Sequence, residues 1–64
     1  MVMRIKELRE AAHMTQAQLA AGMGVMQNSI SQWETEVALP RTRQLPTLAH
    51  ILKCKIDDLF ADAS

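Results

Sequence analysis

Residues 15–34, TQAQLAAGMGVMQNSISQWE, constrain the fold more than any other part of the chain. Thr15 is a strong helix N-cap, and Gln18 three positions on completes a capping box. Leu19, Ala20 and Met23 then fall on one face of a short helix. Gly22 inside it is mildly unfavourable, by roughly 0.5–1 kcal/mol against alanine. Gly24 reads as the left-handed residue that stops the helix. The apolar spacing resumes at Ile30 and Trp33, so a second short helix is expected over about 27–34. Two helices joined by so short a turn must pack against each other and against the rest of a small core.

The rest of the chain supplies that core. Ile5, Leu8 and Ala12 fall at helical spacing and predict a first helix over about 3–12. Residues 37–43 read as a loop punctuated by Pro40. Leu45, Leu48, Ala49 and Leu52 predict a fourth helix, with Pro46 in its first turn, where a missing N–H does no harm. Ile56, Leu59 and Phe60 suggest a short fifth helix, with Asp57 and Asp58 favourable in its first turn. The expected fold is therefore all-α: one compact domain over 1–64 built from five short helices. With 64 residues, 48% of them apolar, no Tyr, one Trp and one Phe, its core must be mostly Leu, Ile, Met and Ala. One cysteine, Cys54, permits no intrachain disulfide and fits a reducing compartment. With no long apolar run and no signal peptide, the chain is expected to be soluble and cytoplasmic, and nucleoid-associated if it binds DNA.

The second half of the 15–34 stretch carries the chemistry. Helix-turn-helix units place their second helix in the major groove of DNA. Here that helix carries Gln27, Asn28, Ser31 and Gln32, short polar groups suited to base edges; Gln and Asn can bond adenine N6 and N7 together. The plain alternative is a solvated polar face. No charged side chain occurs from residue 14 to residue 33, so reading here would rest on amides, hydroxyls and backbone N–H groups. Gln16 opens the preceding helix, whose free N–H groups can hold a phosphate. The net charge of zero counts mildly against nucleic acid, whose partners are usually basic. The distribution softens this: Lys53 and Lys55 precede an acidic end of Asp57, Asp58 and Asp62. Arg41 and Arg43 form the one tight basic pair near the two central helices.

Other groups read as structure. Trp33 continues the Ile30 stripe and is expected in the core. His50 and Cys54 are four residues apart, but two ligands do not make a metal site. The five methionines suit core filling. Gly22 and Gly24 form no phosphate loop, since no Lys-Ser/Thr follows. No arrangement of residues suggests catalysis, a metal, a cofactor or a small-molecule ligand, and an enzyme is not expected.

Taken in order, Thr15-Gln16-Ala17-Gln18-Leu19-Ala20, Gly24-Val25, Ile30-Ser31-Gln32-Trp33-Glu34, Pro40, residues 45–52 and Ile56-Asp57-Asp58-Leu59 resemble the lambda-repressor/Cro-type helix-turn-helix family, also called XRE. The resemblance spans about residues 4–60. It implies a sequence-specific DNA-binding transcriptional regulator, a repressor, of bacterial or phage type. It implies base contacts from Gln27, Asn28 and Gln32. It implies backbone contacts from the Gln16 side chain and from Arg41 and Arg43 in the loop flanking the groove, with weaker support for Thr35. The chain departs from the family pattern at three places. Glu36 and Lys53 stand where glycine is common, which implies non-glycine residues in left-handed geometry. Met26 replaces the usual Ser or Thr before the third helix, which therefore lacks a side-chain cap.

Two further expectations concern assembly. Arg9, four residues after Ile5, and Glu34, four after Ile30, both fall on inward helix faces and are expected to pair, since a lone buried charge is prohibitive. The resemblance points the same way. A homodimer on near-palindromic double-stranded DNA is expected, because one recognition helix reads only a few base pairs. Ile56, Leu59 and Phe60 are the expected dimer contacts, on the ground that so small a domain cannot bury all three. The competing reading keeps the fold but makes the chain a protein-interaction module, such as an antitoxin or accessory factor. Zero net charge sustains it.

Overall fold

The computed structural model describes residues 3–60. Four α-helices make up the regular structure of these residues: α1 (Ile5–Ala11), α2 (Gln16–Met23), α3 (Gln27–Glu34) and α4 (Leu45–Ile51). Short 3-10 turns occupy Thr42–Gln44 and Ile56–Leu59. No strand occurs among the described residues, and none of their helices is long and apolar enough to cross a membrane. Asp62 of the acidic end lies outside the described residues.

The all-helical class stands, but the expected fifth α-helix is a single 3-10 turn. The start is local and the stop is not. The Lys55 N–H donates to the Asp58 carboxylate at 3.1 Å, and the Asp58 N–H donates to the Lys55 carbonyl at 3.0 Å. Asp58 thereby closes a tight i, i+3 box. Phe60 then becomes extended, forming an isolated antiparallel bridge with Met3, and the Arg4 N–H donates to the Leu59 carbonyl at 2.7 Å. Extending the helix past Leu59 would break that pairing.

Every helix contributes to one core. Ile5 from α1, Leu19 and Ala20 from α2, Ile30 and Trp33 from α3, and Leu48 and Ala49 from α4 are buried, joined by Leu52 and Leu59. Burying a Leu or Ile side chain contributes about 1.5–3 kcal/mol, and the aliphatic members of the set need no polar partner inside. Gly22 is explained by packing: a Cβ there would lie 3.1 Å from the Ile51 Cδ1 of α4. The glycine lets α2 and α4 approach closely, which offsets its poor helix propensity.

All four helices stop in the same way. The residues His13 (φ 58°), Gly24 (φ 71°), Glu36 (φ 63°) and Lys53 (φ 57°) are left-handed. Across each, the next N–H reaches back five residues to a carbonyl: Met14 to Arg9, Val25 to Ala20, Val37 to Gln32, and Cys54 to Ala49, at 2.9–3.0 Å. This is the Schellman stop, in which an apolar residue after the left-handed one usually packs back on the helix. Met14, Val25 and Cys54 do so, whereas Val37 remains 74% exposed. Only one of the four stops uses glycine. The family pattern implies the left-handed geometry of Glu36 and Lys53, whereas at His13 the sequence marks no more than a helix end.

Candidate nucleic-acid interface

The candidate surface is built where α2 and α3 begin. The Thr15 hydroxyl accepts from the Gln18 N–H at 3.1 Å, and the Gln18 carboxamide oxygen accepts from the Thr15 N–H at 2.8 Å. This box satisfies two of the N–H groups that an α-helix start leaves free, those of the cap and third residue. The amides of Gln16 and Ala17 are left for an outside acceptor, the arrangement that suits a phosphate. After Gly24 the chain enters α3 through Met26, whose backbone is extended and whose side chain makes no cap. Met26 is 76% exposed, the most exposed large apolar residue described.

On α3 the two faces separate cleanly. Ile30 and Trp33 point into the core. Gln27 and Asn28 are exposed in the first turn, while Ser31 and Gln32 are half-buried further along. The four candidate base readers thus lie on accessible parts of one short helix, with its first turn the most open.

Behind that helix runs a continuous hydrogen-bond network. Arg9 of α1 donates from Nε to Glu34 Oε2 at 2.6 Å and from a terminal nitrogen to Glu34 Oε1 at 3.3 Å. Its other terminal nitrogen donates to the Met14 carbonyl at 2.8 Å. Gln16 of α2 donates from Nε2 to Glu34 Oε1 at 2.9 Å. Gln27 of α3 donates in turn from Nε2 to Gln16 Oε1 at 3.4 Å. The Arg9 and Glu34 side chains are only 11% and 5% exposed. The network therefore joins α1, the loop after it, α2 and both ends of α3.

Its electrostatics follow from burial. Desolvation pushes the Glu34 carboxyl upward, but hydrogen bonds from Arg9 and Gln16 and the charges of Arg9 and Lys6 outweigh it, leaving the group below its ordinary value. Arg9 is raised, chiefly by its hydrogen bond to Glu34. Both groups are held charged. Burial, with Asp58 nearby, pushes the Cys54 thiol up, which favours its protonated form.

The remaining candidates are placed less uniformly. Arg41 and Arg43 are exposed and form no ion pair among the described residues. The Gln44 carboxamide accepts from the Arg41 N–H at 2.7 Å and so braces the start of their turn. Thr35 is exposed, but its hydroxyl donates to the Ser31 carbonyl at 3.0 Å, so its single proton is already in use. A phosphate contact from Thr35 would have to replace that bond. Gln16 is half-buried and bonded on both sides rather than free. Among the expected dimer contacts, Leu59 is fully buried in its own protomer and offers no surface. Its carbonyl bond to Arg4 and the Met3–Phe60 bridge draw it inward. Ile56 is 41% exposed, and Phe60 is half-buried against the core.

Comparison with known proteins adds one finding. A family model described as helix-turn-helix matches residues 5–59, a span that takes in all four helices and the last 3-10 turn. No curated protein matches the chain.

Proposed function

Because the chain belongs to the helix-turn-helix family of XRE and lambda-repressor type, a DNA-binding family, we propose that it is a sequence-specific transcriptional regulator acting as a repressor. In this reading α3 docks in the major groove. Gln27, Asn28, Ser31 and Gln32 meet base edges. The start of α2, with Arg41 and Arg43, holds phosphates. The protein works in the cytoplasm on nucleoid DNA, as a homodimer on a near-palindromic operator. Its occupancy excludes polymerase.

One observation carries the reading. The starts of α2 and α3 lie side by side, joined by the 3.4 Å Gln27–Gln16 bond, so a helix start able to take a phosphate abuts exposed amides able to bond base edges. That is the adjacency a groove and its rim require. Selection of bound duplexes from random DNA tests it. A reproducible, near-palindromic consensus is expected, and the absence of any enriched sequence would remove the proposal.

A second reading, a protein-interaction module such as an antitoxin or accessory factor, is favoured by a different observation. Val37 and Leu39, in the segment between α3 and α4, are 74% and 60% exposed. Exposed apolar side chains grouped in a short stretch suit a protein partner. Substituting both with serine separates the readings: regulation in cells is expected to persist if DNA binding is the function and to be lost if these side chains seat a protein partner.

A further inference from the structure

We propose that Thr42 is a phosphorylation site, and that its phosphate occupies Arg41 and Arg43 and so releases the protein from DNA. The inference rests on the DNA-binding reading above and names a means of regulating that surface.

The hydroxyl groups of the described residues differ in how they are held. Thr15 accepts from the Gln18 N–H at 3.1 Å, and Thr35 donates to the Ser31 carbonyl at 3.0 Å. Ser29 and Ser31 are half-buried on α3. Thr47 is exposed but lies inside α4. Thr42 is exposed, stands outside the α-helices and has a hydroxyl without a hydrogen bond among the described residues.

The approach to it is open. Leu39, Arg41, Thr42 and Arg43 are all exposed, residues 39–41 belong to no helix, and the backbone at Arg41 is extended, with φ −71° and ψ 153°. An enzyme can take such a segment into a cleft without unwinding an α-helix. Kinases select substrates by charge pattern, and an arginine on each side of Thr42 suits a kinase with an acidic cleft. In the transfer, the Thr42 oxygen bonds to the γ-phosphorus of a nucleoside triphosphate. The bond from that phosphorus to the β,γ-bridging oxygen breaks, and the nucleoside diphosphate leaves with the electron pair. The hydroxyl proton passes to a base of the kinase.

The product acts on its own neighbours. A phosphothreonine carries about 1.5–2 negative charges at neutral pH and three strong acceptor oxygens. Arg41 and Arg43 form no ion pair among the described residues, so both guanidinium groups are available to it. Arginine–phosphate bonds are charge-assisted and commonly bidentate. The positive charge of the pair is then offset almost in full. These arginines are also the proposed holders of DNA phosphates, and a guanidinium committed to Thr42 displaces no counterion from a duplex. The amides of α3 are untouched. Phosphorylation therefore lowers affinity for every sequence alike and leaves base preference as it was.

At 64 residues the full chain is accessible to chemical synthesis with Thr42 phosphorylated. Both forms, checked for folding by circular dichroism, are titrated with a selected and a scrambled duplex over a salt series. Phosphorylation is expected to weaken binding to both by about tenfold or more and to lower the salt slope by about two units, one for each arginine withdrawn. Equal affinity of the two forms overturns the proposal while DNA binding survives. If the unmodified chain binds no duplex, the DNA-binding reading itself has failed, and release from DNA with it. Capture by the arginines has its own readout. Followed by phosphorus NMR, the second ionisation of the phosphate is expected at lower pH in the wild type than in Arg41→Ala/Arg43→Ala; identical titrations overturn the capture. The modification is tested with an extract of the cells that make the protein and γ-labelled ATP. Label is expected on the wild type and not on Thr42→Val, which keeps the shape and removes the hydroxyl. An unlabelled wild type, or label retained by Thr42→Val, overturns the assignment.

Discussion

Arg9 and Glu34 concentrate much of the stability that can be changed at single positions. Each is nearly inaccessible and each satisfies the other. Truncating either to alanine leaves a part-buried charge without its partner, so a loss of about 1–3 kcal/mol is expected in urea unfolding. The same pair makes stability depend on acid. Glu34 is lower in the folded protein than in the unfolded chain. Its contribution is therefore complete above the unfolded carboxylate range and disappears as pH falls through the depressed folded value. Urea midpoints measured from neutral pH downward should fall more steeply for the wild type than for Arg9→Met/Glu34→Gln. At this scale the sequence is partly readable. Helical spacing places Arg9 and Glu34 on inward faces, because a periodicity of 3.6 shows direction. It cannot show that Gln16 reaches both Glu34 and Gln27, since the distance between two helix starts depends on how the helices cross. Nor can it show that the Thr35 proton is held by the Ser31 carbonyl.

Helix ends are where these short elements are decided. Helices of seven or eight residues are too short to persist alone in water, so their caps and packing must sustain them. The capping box of α2 is strong, and Thr15→Ala is expected to cost about 1 kcal/mol. At α3 the reverse holds. Met26→Ser supplies the missing side-chain oxygen and is expected to add about 1 kcal/mol, read as a raised thermal midpoint. The stops invite a similar comparison. Glu36→Gly removes the left-handed penalty of about 1–2 kcal/mol, set against roughly 0.5–1 kcal/mol of glycine entropy, for a small net gain. Gly24→Ala reverses that balance and should destabilise, although no atom lies within 4 Å of the added methyl. Polar caps, glycine and proline make these boundaries legible in advance. The end of the chain is less legible: an Ile-Asp-Asp-Leu run suits either a helix or a tighter turn. The choice depends on Met3, far away in sequence.

As a whole the domain is small enough for two copies to work side by side. Its principal extents are 30 × 23 × 21 Å, and half-sites one helical turn apart are separated by about 34 Å. Two protomers in successive major grooves would therefore lie within reach of each other on one face of the duplex. Sedimentation on a selected duplex is expected to show two protomers per site; one per saturated site would refute the dimer. Salt dependence follows from charge placement. Few cations lie near the proposed surface, so a shallow slope is expected, and Arg41→Ala or Arg43→Ala should reduce it by about one unit for each phosphate no longer neutralised. The buried position of Trp33 has a consequence of an optical kind. It is the sole tryptophan of a chain without tyrosine, it is 5% exposed, and it sits in α3 beside Glu34. Each protomer thus carries one native fluorophore inside the proposed reading helix. Its emission should redden on unfolding, and any change on adding a duplex reports from that helix without an attached dye.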